Sequence, residues 1–326
     1  MQLVLVWRNK AHSVDVSAAE LAAAISDPKA LVWLDVSGDL TASRELLTGT
    51  LHLSTLTVDA IVDTAERARF VAADGYFYLI VHCLGFDATT SEASTPKLDV
   101  VFGKNFLVTA HVDSMPWLDT LWTDICVGKT EENFMSRGVA HLLYAVLDTL
   151  VDSYFPVLDE LDDIIDDLEN ITVATTSNEV QGRIFRIKRS LALMRRVISP
   201  QVEVANSLIT RTGDIIPREA EPYFAEVHDH LVRAFEVLDS YRDLMSGLLD
   251  VYLTTVSNRL NVVMKQLAII ATIFMPITFV TGFFGQNFGF MPQVAHDGGY
   301  NFVLVLLFMA AITAFQIWYF KRRGWF

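Results

Sequence analysis

The spacing of apolar positions changes twice along the chain. In its first part, short β-like runs (LVLVW, ALVWLDV, YFYLIVHCLGF, LDVVFGKNFLVTAHV) alternate with helical stretches such as SAAELAAAIS and TVDAIVDTAERARF. Strand-length runs interleaved with helical periods predict a small mixed α/β domain over 1–115. The last run has the alternation of two strands joined at a turn near Gly103, Lys104 and Asn105. Within a region over 116–221, the pattern from about Pro116 to Arg211 becomes helical. In DELDDIIDDLEN, Leu161, Ile164, Ile165 and Leu168 share one stripe, and Asp159, Asp162, Asp163, Asp166 and Asp167 share the other. Like charges three and four apart oppose a helix by a few tenths of a kcal/mol per pair. A solvated face is the plainer reading, and a face that gathers cations or meets a basic partner is the alternative.

TGDIIPREAEP breaks the pattern, and Pro222 suits the first turn of a new helix, with Glu219 and Glu221 at its positive end. No proline follows until Pro276. One helix over 222–284 would span roughly 95 Å, several times a bilayer's hydrocarbon thickness, so it is more than an anchor. Residues 266–296 and 298–320 contain no Asp, Glu, Lys or Arg. Each run suffices for a span of roughly 20 residues. Two C-terminal spans are therefore predicted: the end of the long helix, and 300–320, joined by a loop over 285–299. Lys321, Arg322 and Arg323 open a basic tail over 321–326, whereas the loop carries only Asp297. That asymmetry puts the loop outside and both termini in the cytoplasm. The opening MQLVLVWRNKAH does not read as a secretory signal. The expected location is the inner or plasma membrane, crossed more than once.

Steps of three and four along the long helix pass through Asp250, Thr254, Ser257, Asn261, Met264, Ala268, Ala271, Met275, Thr278, Gly282 and Gly285. The stripe is small or polar at most positions, while Ile269, Ile270, Ile273, Phe274, Phe279 and Phe283 beside it are bulky. Close helix packing is one reading of such a stripe in lipid. A water-filled pore wall built by several copies is the other. Asp250 and Asn261 continue the stripe beyond the membrane, where close packing favours Leu or Ile, and they tip the balance to the pore. Two spans cannot enclose a conduit alone, so the pore requires a symmetric homo-oligomer with this helix at the axis.

Composition narrows the picture further. Of the 326 residues, 52% are hydrophobic and the net charge is -14, which argues against a nucleic-acid partner. Cys83 and Cys126 lack paired spacing. His228-Asp229-His230 invites a metal, but helical neighbours two apart point in different directions. His82 and Cys83 read as core, and His296 and Asp297 as a polar loop or a cation collector. A GxxxxGK[ST] phosphate loop is absent from the sequence.

SNRLNVVMKQLAIIATIFMPITFVTGFFGQNFGFMP, followed by a tyrosine-led second span and a basic, Trp-containing tail, closely resembles the CorA family of divalent-cation channels. The resemblance implies an α+β protein: a cytoplasmic mixed α/β domain, a long helical stalk and two C-terminal transmembrane helices, assembled as a funnel-shaped homopentamer in membrane lipid. It implies passage of Mg2+, often also Co2+ or Ni2+, into the cell, without enzyme activity. The family's Gly-Met-Asn motif falls on Gly285, Gln286 and Asn287, with the Asn ring as outer selectivity site. Asn261 becomes a polar ring, Met264 and Leu267 a hydrophobic gate, and Thr278 a polar ring within the membrane. Asp250, Ala271, Met275 and Gly282 join the pore lining. Glu226 falls where the family binds regulatory Mg2+ between subunits, with Asp229 one turn away and Asp87 as partner acid. Gln286 stands where the motif has Met, and Gln293 where a Glu commonly follows Met-Pro. Relatives resembling the zinc transporter ZntB also vary the middle motif residue, so a Zn2+ transporter is the alternative. A non-conducting metal sensor and a membrane-tethered enzyme are the rivals from other classes; no motif joins acid, base and nucleophile for the latter.

Overall fold

The computed structural model describes residues 2–8, 11–14, 16–127, 134–211, 215–286 and 298–325. The chain divides into two compact units, Met1–Leu249 and Asp250–Phe326.

In the first unit a seven-stranded sheet has the order β2-β1-β3-β9-β8-β5-β4. Its strands are β1 (Gln2–Arg8), β2 (Ala11–Val14), β3 (Leu31–Ser37), β4 (Arg69–Ala73), β5 (Tyr76–His82), β8 (Lys97–Phe102) and β9 (Phe106–His111), while β6 (Gly85–Asp87) and β7 (Glu92–Ser94) form a separate hairpin. Only the central β3–β9 pair is parallel, with Leu34 opposite Val108. The β8–β9 hairpin turns at Gly103 as the alternation predicts, and a side chain there would strike the Phe106 ring, 2.3 Å from where its Cβ would lie. Period-two alternation sends Val4, Leu34, Ile80, Val101 and Val108 to one face, packed with Leu21, Leu47 and Ile61 from α1 (Ala18–Ile25), α2 (Arg44–Gly49) and α3 (Thr55–Val62). On the other face Trp33 meets Trp122 of α4 (Pro116–Val127), ring centroids 4.6 Å apart. Both faces are covered, so β3 and β8 are buried along nearly their whole length, including Asp35, Lys97 and Asp99. The ends of α1 and α3 follow local chemistry. Ser17 and Glu20 form a reciprocal capping box, and the Ser54 hydroxyl accepts from the Thr57 N–H at 3.2 Å.

TVDAIVDTAERARF is not a single helical stretch: α3 stops at Val62, and Arg69 and Phe70 open β4. Asp63 adopts extended backbone and its carboxylate accepts the Ala65 N–H, so the chain turns after the eight residues of α3 and the helix does not continue.

The remaining helices are α5 (Val139–Asp152), α6 (Tyr154–Ala174), α7 (Asn178–Arg211), α8 (Glu221–Phe284) and α9 (Gly298–Arg322). Leu161, Ile164, Ile165 and Leu168 of α6 are buried, and the five aspartates between them are exposed, as their spacing predicts. Gln201 of α7 joins layer to sheet: its Oε1 accepts from the His82 N–H at 3.0 Å and the Tyr154 hydroxyl at 3.2 Å. Phe224, Leu231, Leu238 and Met245, on one stripe of α8, are buried against this layer. Helix α8 starts one residue before Pro222, and α9 exceeds the apolar run 300–320 by two residues at each end.

Candidate ion pathway

The second unit holds the apolar part of α8 together with α9, both long and apolar enough to cross a membrane. Polar contacts join them. Lys265 Nζ donates to the Gly324 carbonyl at 3.1 Å and lies over the Trp325 ring, 5.8 Å from its centroid; Gln316 Nε2 donates to the Thr272 carbonyl at 2.9 Å. Ile269, 6% exposed, and Phe320, also 6% exposed, are the buried apolar residues of this pair. Lys265, Ile269 and Thr272 thus define the face of α8 that meets α9.

The stripe lies one position back around the helix. Asp250, Asn261, Met264, Leu267, Ala271, Met275, Thr278 and Gly282 are all exposed, as is Gly285 beyond the helix end. Met264 is 62% and Met275 71% exposed. Bulky Phe274 and Phe279 are equally uncovered, so the chain by itself leaves the apolar stretch of α8 exposed. Helix α8 ends at Phe284, and the Gly285 N–H returns to the Thr281 carbonyl at 2.9 Å. A Cβ on Gly285 would stand 2.9 Å from that same carbonyl oxygen, too close for an unshifted backbone. Gln286 follows at the helix mouth, exposed. Asn287, Gln293, His296 and Asp297 lie outside the described residues.

The acids assigned to regulation are in the first unit and are not joined to one another. Asp87, at the end of β6, accepts the Thr89 N–H at 2.8 Å and the Thr90 hydroxyl at 3.0 Å; the Thr89 bond chiefly holds its carboxyl below the usual range. Asp229 is exposed beside His228, 3.3 Å from its Nδ1. Glu226 accepts from the Tyr144 hydroxyl at 3.4 Å. Among the described residues, Asp148, Asp152 and His230 are the one set of three metal-ligating side chains whose donor atoms lie within 4.8 Å of one another. Burial, then the charge of Asp152, raises the Asp148 carboxyl above its ordinary value. The sequence reading missed this set because its carboxylates come from α5 and its imidazole from α8. Their i, i+4 spacing on α5 was the available signal. His228 and His230 do face different neighbours, as their spacing predicts. Cys83 is core, and burial pushes its thiol up to about 12.

A mixed α/β domain, a layer of helices with an acidic face, and a pair of apolar helices whose first member carries a polar stripe define a membrane transport protein with two spans. The "CorA-like Mg2+ transporter protein" family model matches residues 28–322, and the chain belongs to that family. It is 33% identical over 276 residues to the cobalt/magnesium transport protein CorA of Thermotoga maritima, covering 83% of this chain and 76% of that one. It is 21% identical over 293 residues to the zinc transport protein ZntB of Yersinia pestis, covering 90% and 87%. The complete structure of the CorA magnesium transporter from Methanocaldococcus jannaschii superposes with a TM-score of 0.85 over 100% of this chain and 99% of that chain, at 21% identity. The fold is therefore the full-length CorA fold, and the family is one of divalent-cation transporters rather than enzymes.

Proposed function

We propose that the chain forms a homopentamer around α8 and lets Mg2+ enter the cell down the membrane potential. The observation that carries this is the placement of the chain's own second span: α9 occupies the face of α8 at Lys265, Ile269 and Thr272 and leaves the small, polar stripe uncovered. A stripe of that composition facing identical copies lines water; facing lipid, it would be costly. Met264 and Leu267 supply an apolar constriction that closes by dewetting, and Asn261 and Thr278 supply oxygen on either side of it. Gly285, Gln286 and Asn287 form the outer mouth. Mg2+ gives up its waters reluctantly, so neutral carbonyls hydrogen-bond the hydrated ion and release it more easily than carboxylates would. Both termini lie in the cytoplasm.

No nucleotide is needed as a source of energy. Two charges crossing an inside-negative potential gain about 4.6 kcal/mol per 100 mV, an accumulation of roughly a thousandfold. Such a pore has to close as the cell fills. Intracellular Mg2+ bound by Glu226, Asp229 and Asp87, with Asp148 near enough to feel the Glu226 charge, screens their repulsion and holds the constriction shut. Co2+ and Ni2+ are further candidate cargoes. The resemblance to ZntB, joined with Gln286 at the middle motif position, supports Zn2+ as the second reading.

Uptake of Mg2+ into proteoliposomes holding an inside-negative potential tests the reading, with Zn2+ and Co2+ offered as competitors. Mg2+ influx abolished by Asn287→Ala is expected. Influx of Zn2+ alone would transfer the assignment to the second reading, and vesicles tight to all three ions would remove both.

A further inference from the structure

Pro276 lies inside α8, within its apolar stretch. Proline has no N–H, so the carbonyl four residues earlier, that of Thr272, loses its donor in the helical ladder. Hydrocarbon offers no water as replacement, and membrane helices tolerate an internal proline only where a neighbouring group satisfies the freed carbonyl. The Thr272 hydroxyl is turned away, donating to the Ala268 carbonyl at 2.7 Å. The donor comes from the other span: Gln316 Nε2 reaches the Thr272 carbonyl at 2.9 Å. Gln316 is the one side-chain amide between Phe302 and Lys321. Its Oε1 is buried and has no hydrogen-bond partner among the described residues. The reversed amide would set that oxygen against the carbonyl, acceptor to acceptor, so the carbonyl fixes which way the group points.

We propose that Gln316 is a positioning residue of the ion pathway. Its amide replaces the donor that Pro276 removes and so fixes the course of α8 between the constriction at Met264 and Leu267 and the polar ring at Thr278. This rests on the reading of α8 as the pore wall. With the amide lost, the two halves of the stripe bend freely at Thr272 and the balance between shut and conducting arrangements moves.

Gln316→Met keeps length and approximate volume but donates nothing. In the parent chain it is expected to shift the cytoplasmic Mg2+ concentration that half-inhibits influx by about threefold, the typical effect of one hydrogen bond between membrane helices. Pro276→Ala restores the N–H that Thr272 lacks, so in that background Gln316→Met should leave the half-inhibiting concentration unmoved. Equal shifts in both backgrounds would overturn the proposal, as would no shift in either. The bond is also read without transport: an isotope-edited carbonyl at Thr272 moves to higher infrared frequency in Gln316→Met and stays put once Pro276→Ala is present. An unmoved band in the parent background refutes the contact. If the parent conducts no divalent ion, the pore reading fails and with it the role in transport, while the band still decides whether Gln316 holds Thr272.

Discussion

Gly285 shows how far one position can be constrained by backbone alone. The Thr281 carbonyl stands 2.9 Å from where its Cβ would be, so Gly285→Ala must displace the mouth of α8, at a cost of about 1–3 kcal/mol by analogy with overpacking. The variant is expected to lower Mg2+ uptake while leaving the unfolding midpoint of the first unit unchanged; unimpaired uptake would show that the mouth is free to shift. Buried charges in the sheet invite a second test. Lys97, 6% exposed at its side chain, sits 2.9 Å from Asp99, 0% exposed, and the Tyr78 hydroxyl donates to Asp99 at 2.6 Å. Asp99→Ala removes the counter-charge of an ammonium otherwise held by the Ala60, Ile61 and Asp63 carbonyls, and should destabilise the first unit by about 3–5 kcal/mol in denaturant titration. His111 gives a dependence on pH. Burial lowers its pKa, but the Asp35 carboxylate at 3.4 Å and the Asp113 carbonyl at 2.6 Å outweigh burial and raise it overall. A folded pKa above the unfolded one means that the stabilisation is complete at low pH and is lost as pH rises through the folded value. Denaturant midpoints of the parent should therefore fall relative to His111→Gln between about pH 6 and about pH 8, and parallel curves would dismiss the pair. Lys97 and Asp99, two apart on one strand, share a face by spacing alone, whereas Asp35 and His111 become neighbours only when β3 and β9 align in parallel.

At the scale of elements, legibility followed period. Leu161, Ile164, Ile165 and Leu168 announced α6 and its buried face because a period of 3.6 persists there for several turns. Strand β4 was invisible: an edge strand with only one partner, it leaves Arg69, Val71 and Ala72 exposed and shows no alternation to set against the helical residues before it. The polar stripe of α8 was readable for the same reason as α6, whereas its attachment through Gln316 was not, since a contact 44 residues distant has no local signature. Helix α6 also carries avoidable repulsion. Asp163 and Asp167 are one turn apart and exposed, so the paired change to Asn should stabilise the helix by a few tenths of a kcal/mol. The gain should appear in thermal melts at low salt and vanish at high salt. Reduced Mg2+ uptake by the same protein would instead mark this face as a cation collector. Helix α9 ends where Gly324 adopts φ +67 and the Trp325 N–H returns to the Phe320 carbonyl at 3.0 Å. That turn stacks Trp325 on Phe320 and brings it under Lys265.

Taken whole, the molecule joins a well-covered first unit to a pair of apolar helices that remain largely exposed. Phe274, Met275 and Phe279 each expose 61% or more of their surface. A surface of that kind marks a membrane or protein interaction site. The resemblance in sequence identified the family from the last quarter of the chain, and the family model and the CorA fold confirm it over nearly the whole length. We infer that Gln286 and Asn287 set which ion passes, a question decided by transport rather than by fold. Purified protein in sealed vesicles, held inside-negative and offered Mg2+ with and without Mg2+ already inside, settles the matter. Rapid influx that stops as internal Mg2+ rises, and that no longer stops in Glu226→Ala, is the expected outcome. Vesicles that remain tight to Mg2+ at every potential would contradict it.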